Sequence, residues 1–270
     1  MRAPETILLV VLAATALRAH PEIEAGLARL NAALATQPGN ADLYLERGEL
    51  YARHEEWIHA EANFLAAAEL APRHAGILRA RGALALARRR PTEALPLFNE
   101  ARDLDPADLS TRILRARALR QLNSIGEAGE EFDYVLRQSR TPSPDLILER
   151  AAMLTPPEAL RLLEGALART GPVPALELRA LALEETLGRI DDALARLERL
   201  TAAAERKETW LRRRGDLLRR SGRESEARAA FAAALAALGS LPDWLRESPE
   251  SATLAKELAT LSHPQPSSPP

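Results

Sequence analysis

The 270-residue sequence predicts an all-α solenoid, a row of stacked helical units that share a core along the row. Two observations carry this. Gly48, Ala60, Phe64, Ala67 and Pro72 are each followed 34 residues later by the same residue type, at Gly82, Ala94, Phe98, Ala101 and Pro106. Another 34 residues on lie Ala116, Ala128, Phe132, Val135 and Arg140, and the same internal spacing returns in Gly215, Ala227, Phe231 and Ala234. A fixed period of this size marks stacked supersecondary units. The second observation is compositional: 46% of residues are hydrophobic but only 4% aromatic, so the core is mainly Ala and Leu. These are strong helix formers, and strand-favouring residues are scarce.

The recurring residues resemble those of the tetratricopeptide repeat (TPR) family, a helix-turn-helix unit of the same length. The stretch LYLERGELYARHEEWIHAEANFLAAAELAPRH carries the pattern in Tyr44, Gly48, Tyr51, Ala60, Phe64, Ala67 and Pro72, and the resemblance spans about residues 22–241. It implies antiparallel helix pairs wound into a right-handed superhelix, with a concave groove in which partners bind. Each small residue then has a steric role. Gly48 and Ala60 sit where the two helices of a unit cross, and a large side chain there would force them apart. Phe64 and Tyr51 fill the space beside the crossing. Pro72 and Pro106 end second helices, because Pro cannot donate the next backbone bond.

The elements follow in order. Residues 1–19 read as a secretory signal peptide: Arg2, an apolar run from Ile7 to Leu17, then the small residues Ala14, Ala16 and Ala19. Cleavage would start the mature chain at Leu17 or His20 and place it in the periplasm or outside the cell. The run is shorter than the roughly 20 residues a spanning helix needs, so no membrane span is expected in the mature chain. A buried first helix, in a cytoplasmic protein, is the alternative. Residues 20–40 match a lone second helix, with Gly26, Leu30, Ala33 and Pro38 at the offsets of Ala60, Phe64, Ala67 and Pro72. About six units fill 41–241: 41–74, 75–108, 109–142, 143–173, 174–207 and 208–241. The fourth is irregular. Its Ala151 and Ala159 are eight apart rather than twelve, which places the loss of one helical turn in the connection around LTPPEAL. In the fifth, Leu181 replaces the small residue. Residues 242–262 read as a capping helix, with Ser248 as N-cap, Pro249 at the first position and Leu254, Leu258 and Leu261 as one stripe. The tail 263–270 is Pro/Ser-rich and is expected to be disordered.

Chemistry is sparse. There is no Cys, which excludes disulfides and thiolate catalysis. Net charge is −2 with a pI near 6.3, so no global field draws the chain to nucleic acid. His54, Glu55 and His59 look like a zinc-protease signature, but such proteins need the two His four residues apart on one helix face, and these are five apart. His20, as a mature N-terminus, is the other metal candidate. No phosphate-binding Gly loop and no nucleophile motif is present, and Asp191-Asp192 sits where acids complement a helix dipole. No cofactor and no metal is expected.

The more informative residues lie one position beyond the packed stripe of each first helix. In this family that neighbouring stripe lines the groove. It reads Leu45, Glu49, Ala52 in the first unit, Arg79, Ala83, Leu86 in the second, Ile113, Arg117, Arg120 in the third and Arg212, Asp216, Arg219 in the sixth. Arg179 joins from an adjacent stripe. Several planar guanidinium forks favour carboxylates, so the expected partner is another protein or peptide with acidic side chains. Leu45 and Glu49 stand where the family's best-known peptide binders place Lys and Asn, which argues against capture of a C-terminal carboxylate of that kind. A further set, Arg47, Arg81, Arg115, Arg150 and Arg214, flanks the small residues and is expected to pair with acids across helices. The sequence thus reads as a non-catalytic adaptor or scaffold, not an enzyme. A metal-handling or enzyme-accessory protein of the cell envelope, using His20 or His54 with His59, is the alternative.

Overall fold

The computed structural model describes residues 21–263. The segment read as a signal peptide, His20, and residues 264–270 of the tail lie outside them. The described chain is an all-α solenoid of consecutive helix pairs, with fifteen helices and no strand among the described residues. It forms two compact units, one ending at Arg140 and the other beginning at Thr141.

The first unit holds α1 (Pro21–Thr36) and three pairs: α2 (Ala41–Arg53) with α3 (Trp57–Leu70), α4 (Ala75–Ala87) with α5 (Pro91–Leu104), and α6 (Leu109–Gln121) with α7 (Ile125–Gln138). Each first helix has 13 residues and each second helix 14, joined by a three-residue turn; four-residue links between pairs complete the 34-residue period. The turn is the same every time. Its middle residue is left-handed (Glu55 φ 61°, Arg89 φ 57°, Asn123 φ 62°). The next N–H then reaches five residues back, from Glu56 to the Tyr51 carbonyl at 3.0 Å, Arg90 to Ala85 at 2.9 Å and Ser124 to Leu119 at 2.9 Å. This Schellman closure satisfies carbonyls that the helix end leaves open. The first helices start on side-chain caps spaced by the same period: Asn40 accepts from the Asp42 N–H, His74 Nδ1 from Ile77, and Asp108 from Ser110 and Thr111.

The crossings explain the small residues. Phe64, Phe98 and Phe132 are fully buried, as are Ala60, Ala94 and Ala128. A Cβ added at Gly48 would sit 2.5 Å from Phe64 Cε1, and one at Gly82 2.6 Å from Phe98 Cε1. No real carbon contact is that short, so each ring occupies the space that a side chain on the facing helix would need.

The second unit is built from α8 (Pro144–Ala151), α9 (Pro156–Thr170), α10 (Pro174–Thr186), α11 (Ile190–Ala203), α12 (Glu208–Arg220), α13 (Glu224–Gly239), the short α14 (Asp243–Arg246) and α15 (Pro249–Ser262). The shortening expected in the fourth repeat's connection falls instead within its first helix. α8 has 8 residues, and its connection to α9 is not shortened. The cause is a new helix start: Pro156 has no N–H to continue α8, and Thr155 donates from its N–H and hydroxyl to Glu158, at 3.1 and 2.6 Å. Further on, Leu181 and Leu197, both fully buried, fill the crossing that Gly and Phe fill elsewhere, and Gly215 with Phe231 restores the usual pair. Against this core α15 lays Leu258, fully buried, with Leu254 and Leu261 partly buried beside it; Ser248 caps the helix by accepting from Ser251.

Candidate functional site

In the first unit the first helices bring one set of residues around a single open cavity of about 390 Å³. Glu49, Ala52 and Arg53 come from α2, Trp57 and Phe64 from α3, Arg79, Ala83 and Ala87 from α4, and Leu114 from α6. The floor is apolar and shallow because three alanines, Ala52, Ala83 and Ala87, face it where larger residues would close it. Four residues of the expected stripe, Glu49, Ala52, Arg79 and Ala83, therefore share one wall system. Leu86 is buried in the core instead, and Leu45 packs against the Phe64 cluster.

The arginines are less available than the stripe alone suggests. Arg79 of α4 bonds the Asp108 carboxylate at 2.7 Å, at the N-cap of α6. Burial works against the Asp108 charge, but hydrogen bonds from Thr111, Arg79 and the Ser110 N–H outweigh it and hold its carboxyl below the usual range. Arg117, half-buried, and Arg120, exposed, both lie on α6 and are both engaged with other groups. In the second unit Arg212 pairs with Glu257 of α15 at 2.9 Å and lies 3.9 Å from Asp216. Arg219 bonds Asp216 at 3.0 Å, with its guanidinium 5.5 Å from the Phe231 ring centre. Arg179 is exposed on α10 and forms no ion pair among the described residues. Arg212 also borders a second open cavity, of about 370 Å³, lined by Pro249, Glu250, Thr253, Leu254 and Glu257 of α15.

Of the arginines flanking the small residues, Arg115 makes the acid pairing expected of the set and Arg47 does not. Arg47 is held by two amides, Asn63 and Asn31, at 2.7 Å each. Arg115 is held by Asn99 at 2.7 Å and Glu131 at 2.6 Å. Arg150 is engaged, whereas the buried Arg214 Nε has no partner. Arg81 makes no hydrogen bond or ion pair among the described residues.

His54 ends α2 and is exposed, with a partner of its own. His59 stacks on Tyr51, with ring centres 5.0 Å apart, and sits 3.4 Å from the Glu56 carboxylate. Among the described residues no group of three or more His, Asp or Glu could hold a metal ion, and no helix is long and apolar enough to cross a membrane. Sequence reasoning missed the roles of Asp108 and His74 as helix caps. The signal was present, since Asn40, His74 and Asp108 stand one period apart. It also missed Trp57 and Leu114 as cavity walls.

The sequence profile of the family described as tetratricopeptide repeat matches residues 59–109, 84–144 and 183–242. No curated protein matches the chain. Among solved structures it is similar to a tetratricopeptide repeat protein from Parabacteroides merdae, at 19% identity over 86% of this chain and 89% of that one, with a TM-score of 0.51. PilF of Pseudomonas aeruginosa is similar at 21% identity over 70% of this chain and 89% of its own, with a TM-score of 0.56. PilW, a type IV pilus biogenesis factor, is similar at 20% identity over 77% and 99%, with a TM-score of 0.58. At such identities the likeness is one of fold.

Proposed function

The chain belongs to the tetratricopeptide repeat family, and on that premise we propose that it is a non-catalytic scaffold that seats a partner protein segment in the groove of its first helices. The observation that carries this is the cavity among α2, α3, α4 and α6, with an apolar floor of alanines and Glu49 and Arg79 at its edges. Such a concave, mostly apolar pocket with a few polar groups suits one large apolar side chain. Asp108 already meets the Arg79 charge, and Asp216 and Glu257 meet those of Arg219 and Arg212. The partner is therefore anchored by an apolar residue first. Acidic side chains of the partner add to binding rather than lead it, since Arg117 and Arg120 are also engaged within the chain.

A photocrosslinking residue at Ala83, expressed in the native host, should capture a discrete protein, and Ala52→Phe, which fills the cavity, should abolish that capture. If the pattern matches that of a crosslinker at the exposed Glu100, the groove is not the binding face. Export is proposed from the first 19 residues alone. Mass spectrometry of the native chain should find Leu17 or His20 at the N-terminus, and an intact Met1 would refute it.

A further inference from the structure

In the first unit the arginine before the small residue of a first helix has two neighbouring positions set by the repeat, one on the preceding second helix and one on the second helix of its own pair. For Arg47 these are Asn31 and Asn63; for Arg115 they are Asn99 and Glu131. Arg81 stands one period from each, and its two neighbouring positions hold Leu65 and Leu97. The second repeat has kept the cation and replaced both of its acceptors with leucine.

Leu65, Arg81 and Leu97 line an open recess of about 100 Å³ between α3, α4 and α5. Leu65 is 47% exposed, an unusual state for a leucine with a half-buried guanidinium beside it. Arg88 and Arg90 stand at the rim, but Glu61 meets the first at 2.7 Å and Glu93 the second at 3.5 Å. Three cations against two carboxylates leave one positive charge over, that of Arg81. This recess is separate from the cavity of Glu49 and Arg79; Phe64 and Leu84 border both.

We infer that the recess is a second docking surface, which takes a carboxylate side chain of a partner protein flanked by leucine-like residues. A guanidinium with no acceptor on any N–H among the described residues offers a fork that matches a carboxylate in two parallel bonds. The leucines on either side exclude water from that pair and bury apolar neighbours of the acid. Phosphate fits less well, because its more strongly hydrated charge would be pressed against two leucines.

The test uses the full chain and two capped tripeptides: leucine–glutamate–leucine and its glutamine counterpart. The reporter is the Arg81 Nε–Hε resonance, assigned by its loss in Arg81→Lys. The glutamate peptide should shift this resonance with a dissociation constant on the order of millimolar, and the glutamine peptide should bind about tenfold more weakly. The variant Leu65→Asn with Leu97→Asn installs the acceptors that Arg47 and Arg115 have. It should remove the response and leave the thermal midpoint unchanged or raised. Arg81→Gln, read from the backbone amide shifts of Leu65 and Leu97 because the side-chain reporter is gone, should abolish the affinity difference between the peptides without lowering the midpoint. No shift with the glutamate peptide, equal affinity for both peptides, or an undiminished response in the double variant would overturn the inference. So would a shift from inorganic phosphate or a thymidine decanucleotide in the absence of any from the peptide.

Discussion

The two compact units solve one packing problem with different residues. In the first unit every crossing sets a small residue against a phenylalanine: Gly48 with Phe64, Gly82 with Phe98, Ala116 with Phe132. In the second, the pair of α10 and α11 uses Leu181 against Leu197, two medium side chains in place of none and one large ring. The left-handed turn residue is Glu55, Arg89 or Asn123 in the first unit, and Gly188 or Gly222 in the second. First helices of the first unit begin on Asn40, His74 and Asp108; α10 and α12 begin on Val173 and Lys207, which make no side-chain cap. What persists outside the shortened fourth repeat is turn length and Schellman closure, with Arg189 reaching Glu184 and Arg223 reaching Leu218, and a filled crossing. The period is therefore set by steric constraints, and the residue types that satisfy them are exchangeable.

Polar groups differ most. The first unit ties its helices with Arg47, held by two neutral amides, and with Arg115, held by the Asn99 amide and by the Glu131 carboxylate that Arg112 also meets. The second buries a charged triad. Arg196, 5% exposed, bonds Glu184 at 2.7 and 2.9 Å and also bonds Glu177. Burial opposes the Arg196 charge, but the hydrogen bonds to Glu184 and Glu177 outweigh it and raise its proton affinity further above the usual value.

The strongest way to break the comparison is to remove that centre. Arg196→Ala leaves two buried carboxylates without their cation, and breaking a buried pair in this way costs about 3–5 kcal/mol. Arg47→Ala strands only neutral amides, the exposed Asn31 and the buried Asn63, and should cost about 1–2 kcal/mol. The tryptophans separate the readouts, with Trp57 in the first unit and Trp210 and Trp244 in the second. Fluorescence-detected denaturation should show Arg196→Ala acting on the second unit alone. If both variants cost the same, the triad is no more important than the amide ties.

The crossings come next. Gly82→Leu would drive carbon into the space of Phe98, where even a Cβ lies 2.6 Å from the ring, and overpacking of this kind costs about 1–3 kcal/mol or more. Leu181→Gly opens a cavity and should also cost about 2 kcal/mol or more. Adding Leu197→Phe to Leu181→Gly recreates the pair used elsewhere. The double variant should recover about 1 kcal/mol of that loss, measured as a coupling energy in denaturant titrations. Strict additivity would mean that summed volume does not govern the crossing.

The fold was legible because the period is written in the residues with least freedom. Gly48, Gly82 and Gly215 cannot grow, and Phe64, Phe98 and Phe231 occupy the space they leave. The fourth repeat was legible as irregular, but not where its irregularity falls, because spacing counts residues between markers and does not say which element lost them. The candidate groove was half legible. Glu49, Ala52, Arg79 and Ala83 lie on the stripe that the family resemblance assigns to the groove, and they line one cavity. That Asp108 reaches Arg79 was not legible, because the two are 29 residues apart at opposite ends of one repeat and Asp108 acts locally as a cap.

The turns offer a gentler comparison. Replacing Gly188 or Gly222 with Ala puts a Cβ in a left-handed conformation and should cost the second unit about 1 kcal/mol. Glu55→Gly or Arg89→Gly relieves that strain in the first unit, but adds chain entropy to its unfolded state, so the gain should stay below about 1 kcal/mol. Asn123→Gly should change least, since Asn tolerates this conformation. Thermal midpoints of the five variants would rank them, and a loss on Glu55→Gly would show that its side chain contributes more than the strain removes.

The smallest effect expected is one of pH. Asp108 caps α6 and holds Arg79, and its carboxyl is depressed in the folded chain. A depressed carboxyl contributes stability that is fully present above its unfolded value, near 4, and is lost as pH falls through the lower folded value. The Trp57 unit should therefore lose stability in this acid range faster than an Asp108→Asn variant does. Asn keeps the stronger half of the cap, because its one side-chain oxygen can still accept from the Ser110 N–H, and it removes the charge together with the oxygen that Arg79 and Thr111 share. At pH 7 the substitution should cost less than about 1 kcal/mol, because Arg79 remains 32% exposed and water screens the pair. Lys207, which opens α12 in the second unit, makes no side-chain cap, so the same substitution should leave the Trp210 transition unmoved between pH 5 and pH 3. Parallel acid curves for the wild type and Asp108→Asn would mean that Asp108 contributes through its hydrogen bonds as a neutral cap, and that the pairing with Arg79 adds nothing measurable.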